Sequence, residues 1–455
     1  MLNHLPLVRM SELIRTKQIT SEELVEAHLA QIDRVDGDLK SFVMTFPSEI
    51  RAEARRAGWE PAEGPLHGIP VSIKDSFDVR SYPTLCGSKL RLRHHASHDS
   101  TAVARLRAAG ALLIGKTNCP EFLLNYETDN FITGWTANPW NQERSAGGSS
   151  GGEAAAISSY CSPGGIGSDG GGSIRVPAHF CGIAGLKPTP GRISAAGHIP
   201  EISYPSGLLG VAGPMARSAE DLRLLFSVLA GYDLADPFSA PVPLRKPDLA
   251  DMQIGVASQF CDIPVEDCMS EAVARAARIF ERDLQLPVAE FSFEGFETVP
   301  DLWWFFFTEL FAPLIRELIE ALGPDAHWTG SELIDEVPAD LVITGRNVVE
   351  KLAIRDKMRL RLLQRMQKTP VILMPVCSVP AFRHKERKWT INGTTIGLRD
   401  AVACVTPFNL LGLPAVTIPF GKAKDGMPVG IQLVGQPYSE EILLDLAIKL
   451  EQCRG

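Results

Sequence analysis

Two glycine-rich runs, separated by an alanine-rich stretch of helical pattern, constrain this chain more than any other feature of its sequence. The first is Gly147-Gly148-Ser149-Ser150-Gly151-Gly152; the second begins at Gly164 and ends Asp169-Gly170-Gly171-Gly172-Ser173. Glycine loses the most conformational freedom on folding. A compact domain gains nothing from this density unless the backbone must take special dihedrals or approach something closely. Around these runs the pattern is α/β. Thr20 and Glu23 predict a capping box opening a helix through Leu24, Ala27, His28, Ile32 and Val35. Residues 71–73 and 111–114 read as strands flanking a helix at 99–109 that Gly110 stops. Further strands are expected at 371–374, 415–419 and 430–434, and a closing helix at 439–451. Such alternation predicts an α/β fold with a largely buried sheet. A proline-rich connector spans 236–247, and 269–367 reads as mainly helical.

With 455 residues, 45% hydrophobic and 22% charged, the chain can bury a large core. Its formal charge of −9 argues against a phosphate-binding surface, so no nucleic acid partner is expected. No apolar run reaches the roughly 18 residues of a membrane span, and Met1-Leu2-Asn3-His4-Leu5 lacks the start of a signal peptide. Nine scattered cysteines without a CxxC pair fit buried thiols in a reducing cytoplasm, and a cytoplasmic location is expected. His94, His95, His98 and Asp99 form the one metal-like cluster; they read as a polar loop entering the next helix, and no metal is expected.

Several familiar motifs match the glycine-rich region by accident. Gly165, Gly167 and Gly170 spell GxGxxG, but a dinucleotide site needs a helix directly after it and an acid about 20 residues on. Pro177 follows soon, and 185–190 contains no acid. The first run contains GxSxG centred on Ser149 and again on Ser150. A nucleophile elbow would need a downstream acid and histidine. Only His327 and His384 lie late in the chain, the latter in a highly charged stretch, 383–387.

Gly68-Ile69-Pro70-Val71-Ser72-Ile73-Lys74-Asp75 resembles the lysine motif of the amidase signature family. The first glycine run resembles that family's first serine motif, and 167–177, continuing through 180–189, its nucleophile motif. Gly115-Lys116-Thr117-Asn118, Asn138-Pro139-Trp140, Pro407-Phe408-Asn409 and 428–435 are similar too, in the same order. Ser145-Ala146 and Ser168 depart conservatively from the common pattern, where Thr-Pro and Thr are usual. The resemblance implies one amidase-signature domain over 1–455, a large twisted mixed sheet with helices on both sides. Residues 1–235 and 368–455 would supply sheet and motifs, and 248–367 a mainly helical insertion lining the substrate.

It also implies roles. Lys74 would be the base, Ser149 the proton relay following a cis peptide, and Ser173 the nucleophile. The backbone N–H groups of Gly170, Gly171, Gly172 and Ser173 would form an oxyanion hole. Ser150 would bond within the lysine network, and Asp169 and Arg175 would pair to fix the turn. A lysine base must be neutral, so burial has to bring Lys74 from about 10.4 into the region of 7–8. No cofactor is implied. The expected reaction is cleavage of amide-type C–N bonds in small molecules, whether carboxylic amides, aryl amides, carbamates (urethanes) or esters, through an acyl-enzyme in a monomer or homodimer. The alternatives are the glutaminase subunit of a tRNA-dependent amidotransferase and a membrane-surface fatty-amide hydrolase. Pocket residues are sought in Asn125 and Tyr126, in the loop bearing Arg192, Ile199 and Tyr204, and in the aromatic segment bearing Trp304 and Phe305. There, Leu310, Phe311, Leu314, Ile315 and Leu318 follow at helical spacing.

Overall fold

The computed structural model describes residues 1–61, 63–202, 206–246, 248–249 and 252–454. At its centre lies an 11-stranded mixed sheet. The strands are β1 (Phe42–Thr45), β2 (Pro70–Lys74), β3 (Leu112–Thr117), β4 (Gly164–Asp169), β5 (Ala184–Lys187) and β6 (Val211–Ala216). They continue with β7 (Ile254–Val256), β8 (Val288–Glu290), β9 (Val371–Pro375), β10 (Ala415–Lys422) and β11 (Pro428–Gly435). In space they run β1-β3-β2-β4-β6-β5-β10-β11-β9-β7-β8, with helices packed around them. β2 is parallel to both β3 and β4, whereas β6, β5, β10, β11 and β9 follow as antiparallel neighbours. Every residue of β2, β3, β4, β6, β9 and β11 is buried. That is why apolar residues stand side by side along these segments instead of alternating strictly with polar ones.

Local signals set many boundaries. The Thr20–Glu23 capping box opens the helix Ser21–Leu39, and Ser100 caps Thr101–Ala108. The closing helix is Glu440–Cys453. The second glycine-rich run enters the sheet as β4. Its glycines are there for clearance: a Cβ on Gly165 would stand 2.1 Å from the Ser72 carbonyl oxygen, and one on Gly167 2.8 Å from Met215 Sδ. The described residues of 248–367 are mainly helical and also give β7 and β8 to the sheet edge.

Four helices matter for the site: α1 (Gly151–Ser158), α2 (Arg175–Cys181), α3 (Val299–Phe307) and α4 (Ala312–Leu322). α1 and α2 each follow one glycine-rich turn. No helix among the described residues is long and apolar enough to cross a membrane. All nine cysteines are free.

Candidate active site

Lys74 ends β2 and Ser168 and Asp169 end β4, so adjacent parallel strands deliver them to one carboxyl edge, where open α/β sheets hold their ligands. Lys74 is fully buried, and its Nζ donates to Ser149 Oγ (2.7 Å), Ser150 Oγ (2.9 Å) and Ser168 Oγ (3.0 Å). Burial pushes the Lys74 ammonium down to about 8, while the Asp169 and Glu153 carboxyls act the other way. Glu153, buried on α1, accepts from Ser72 Oγ (2.5 Å) and Thr117 Oγ1 (2.7 Å) and is itself pushed up to about 7 by burial. The peptide Gly148–Ser149 is cis. Glycine is required at 148 because a Cβ there would stand 2.5 Å from the Asn125 carbonyl oxygen.

Ser173 sits on the turn between β4 and α2. Asp169 organises this turn, accepting from the backbone N–H groups of Gly172 (2.7 Å) and Ile174 (3.1 Å) and from the Arg175 guanidinium (3.0 Å). Burial alone would raise the Asp169 carboxyl; Arg175, Lys187 and Asn409 overcome it and hold it well below the usual carboxylate range. Arg175 is held in turn by Asn409 Oδ1, Gln432 Oε1 (3.3 Å) and the Val405 carbonyl (3.0 Å). The Gly172 N–H, expected in the oxyanion hole, is thus donated to Asp169. The N–H groups of Gly170, Gly171 and Ser173 take no protein partner among the described residues.

Two side chains fix the planes of these peptides from behind. Trp303 Nε1 donates to the Gly170 carbonyl (2.9 Å) and Tyr126 Oη to the Gly171 carbonyl (2.7 Å). In a trans peptide the N–H points opposite the carbonyl, so Trp303 turns the Gly171 N–H away from itself. A Cβ on Gly171 would stand 2.3 Å from the Trp303 ring, which leaves room only for glycine.

Ser149, Ser168, Ser173 and Gly170 line one cavity of about 600 Å³. Its remaining wall is mostly apolar and comes from Leu123, Ile202 and Leu209, from Phe306 and Phe307 of α3, and from α4. Phe311, Leu314, Ile315 and Leu318 present the expected helical stripe to it. Ile199 also lines it. Other expected pocket residues do not. Asn125 donates to Glu332 Oε2 (2.8 Å), and Tyr126 is spent behind the turn. Arg192 is buried against Glu440, Glu441 and the Val242 carbonyl. Trp304 lies under the Arg399 guanidinium and Phe305 under Lys351, so Phe306 and Phe307 face the cavity in their place. Tyr204 falls outside the described residues.

The sequence reading missed Ser168 as a lysine partner, Glu153 beneath the lysine, Trp303 behind the turn, and Asn409 and Gln432 behind Arg175. Asn409 and Gln432 sit in the motifs quoted from the chain's end, which was the available signal. His94, His95, His98 and Asp99 do not converge: His95 Nδ1 contacts the Ser81 carbonyl oxygen, His98 Nδ1 contacts Ser97 Oγ, and Asp99 pairs with Arg107. No cluster of three metal-ligating groups occurs among the described residues.

A buried lysine bonded to a serine that follows a cis peptide, at the carboxyl edge of this 11-stranded sheet, defines an amidase-signature α/β enzyme. The chain belongs to the Amidase family, whose model matches residues 23–444. It is 32% identical to a glutamyl-tRNA(Gln) amidotransferase subunit of Nitrosococcus oceani, over 99% of this chain and 98% of that one. Among solved structures it superposes on one reported as a vestigial protein complex revealing the origins of an s-triazine catabolic enzyme (TM-score 0.89, 30% identity, 99% of each chain). It also superposes on 6-aminohexanoate cyclic dimer hydrolase with substrate (TM-score 0.86, 29% identity, 99% of this chain and 97% of that one).

Proposed function

We propose that the chain hydrolyses amide-type C–N bonds of apolar acyl or aryl substrates, carbamates among them, and the acyl C–O bond of matching esters, through an acyl-enzyme on Ser173. The observation that carries this reading is the 2.7 Å bond from buried Lys74 to Ser149, at the floor of an apolar cavity that Ser173 shares. An alkyl hydroxyl is a poor nucleophile until a base takes its proton. In this reading Ser173 Oγ attacks the carbonyl carbon as its proton passes to Ser149 Oγ, and the Ser149 proton passes to neutral Lys74. The N–H groups of Gly170, Gly171 and Ser173 receive the oxyanion. As the C–N bond breaks, Lys74 returns a proton through Ser149 to the leaving amine. Water then takes the place of the amine, and the same relay run again releases the acid.

Similarity to amidotransferase subunits supports a second reading, glutamine as substrate with a partner chain. The cavity's apolar wall favours the first. The test is a panel run on the isolated chain: aliphatic amides, anilides, carbamates and esters with matched acyl groups, and L-glutamine. Anilides and esters of apolar acids are expected to turn over, with glutamine far behind. Hydrolysis of glutamine alone would reverse the assignment.

Trp303→Phe keeps the ring beside Gly171 but removes the N–H that holds the Gly170 carbonyl. kcat is expected to fall about tenfold, a part of the 10²–10³ lost with an oxyanion donor itself, while KM holds. A change in KM alone would mean that Trp303 only packs.

A further inference from the structure

Among the described residues, Arg91 is the one arginine lining the cavity that also holds Ser149 and Ser173. It ends a short 3-10 turn, Lys89–Arg91, that is fixed at several points. Ser88 Oγ accepts from Leu90 N (3.4 Å), and Lys89 Nζ pairs with Asp325 Oδ1 (2.8 Å) just beyond α4. The guanidinium is aimed by its Nε, which donates to the Thr84 carbonyl (2.7 Å). Arg91 is half-buried, and its Nη2, closed off from solvent, takes no hydrogen-bond partner among the described residues. Leaving a charged donor dry and unpaired is costly, and buried polar groups are nearly always satisfied. Of the carboxylates that line the cavity among the described residues, Asp169 is committed to Arg175 and Glu201 is exposed. Apolar walls strengthen any ion pair formed inside them.

We infer that Arg91 is an anion subsite, and that the preferred substrates carry a carboxylate separated from the scissile amide by an apolar spacer. This rests on the reading of the site as an amide hydrolase and specifies its substrate class. The apolar side chains between Arg91 and Ser173 would pack the spacer, and the guanidinium would pair the distal carboxylate.

The test compares mono-amides of straight-chain dicarboxylic acids of four to eight carbons with neutral alkanamides of equal length. The wild type is expected to favour the carboxylate series in kcat/KM by about tenfold or more at one spacer length. In Arg91→Met that ratio should collapse towards one, and Arg91→Lys should restore part of it. A second arm measures binding of the free dicarboxylates to the Ser173→Ala protein by calorimetry. Arg91-dependent binding without any amide turnover would keep the subsite and overturn the hydrolase reading. A wild type indifferent to the carboxylate at every length, or equal losses on both series in Arg91→Met, would overturn the subsite.

Discussion

Ser173→Ala is expected to abolish hydrolysis of every good substrate while the protein stays folded. The side chain stands on a cavity wall, so its removal leaves the Asp169–Arg175 scaffold of the turn intact. In nucleophile-and-base systems, loss of the nucleophile costs on the order of a millionfold in kcat, and removing the other members adds little more. Circular dichroism and the thermal midpoint should match the wild type. A variant that retained turnover above background would remove Ser173 from the mechanism.

The second large effect belongs to Lys74. In the proposed mechanism its free amine is the active form, and burial pushes its ammonium down to about 8. Activity should climb about tenfold per pH unit below that point and level off above it. Lys74→Ala should cut the rate by about 10²–10⁴ and remove this acid limb. Amides should lose more than esters, because an amine leaving group needs the returned proton and an alkoxide needs it less. Two buried histidines are the rivals. Burial pushes His198 down to about 3 and His179 to about 4, so both are neutral throughout this range and neither can produce an inflection near 8. His198 lines the cavity; His179 instead accepts from the Gly430 N–H (2.6 Å). An unchanged acid limb in Lys74→Ala would show that some other group is the base.

The parts of this site legible in the sequence are those encoded locally. A capping box declares itself within four residues, and glycines packed against backbone stand out in composition because no other residue fits. Gly148 and Gly171 are such positions. What cannot be read is the outcome of long-range packing. In α3 five consecutive residues, Leu302 to Phe306, are apolar and buried. With no polar face there is no periodicity to say which ring looks where. Hence the sequence points to Trp304 and Phe305 as pocket residues, whereas Trp303 reaches the catalytic turn and Phe306 and Phe307 form the wall. Arg192 misleads for a related reason. A cation in a loop near the nucleophile motif looks available, and only the fold brings Glu440 and Glu441 from the chain's last helix to pair with it.

The shape of the cavity arises the same way. The sequence predicts an apolar stripe through this segment, and the structure presents one at Phe311, just before α4, and at Leu314, Ile315 and Leu318 on it. Leu123 and Arg91, by contrast, end short 3-10 turns, and Ile202 lies outside any helix or strand, so none of them carries a periodic signal in the sequence.

The most direct measurement is covalent. The protein is treated with a fluorophosphonate across a pH series, digested, and the adduct located by mass spectrometry. A single phosphonyl group is expected on Ser173, with a labelling rate that rises through about pH 8 in the wild type and is slow and flat in Lys74→Ala. An adduct on Ser149 or any other residue, or labelling that survives in Ser173→Ala, would contradict the assignment of Ser173 as nucleophile and Lys74 as its base.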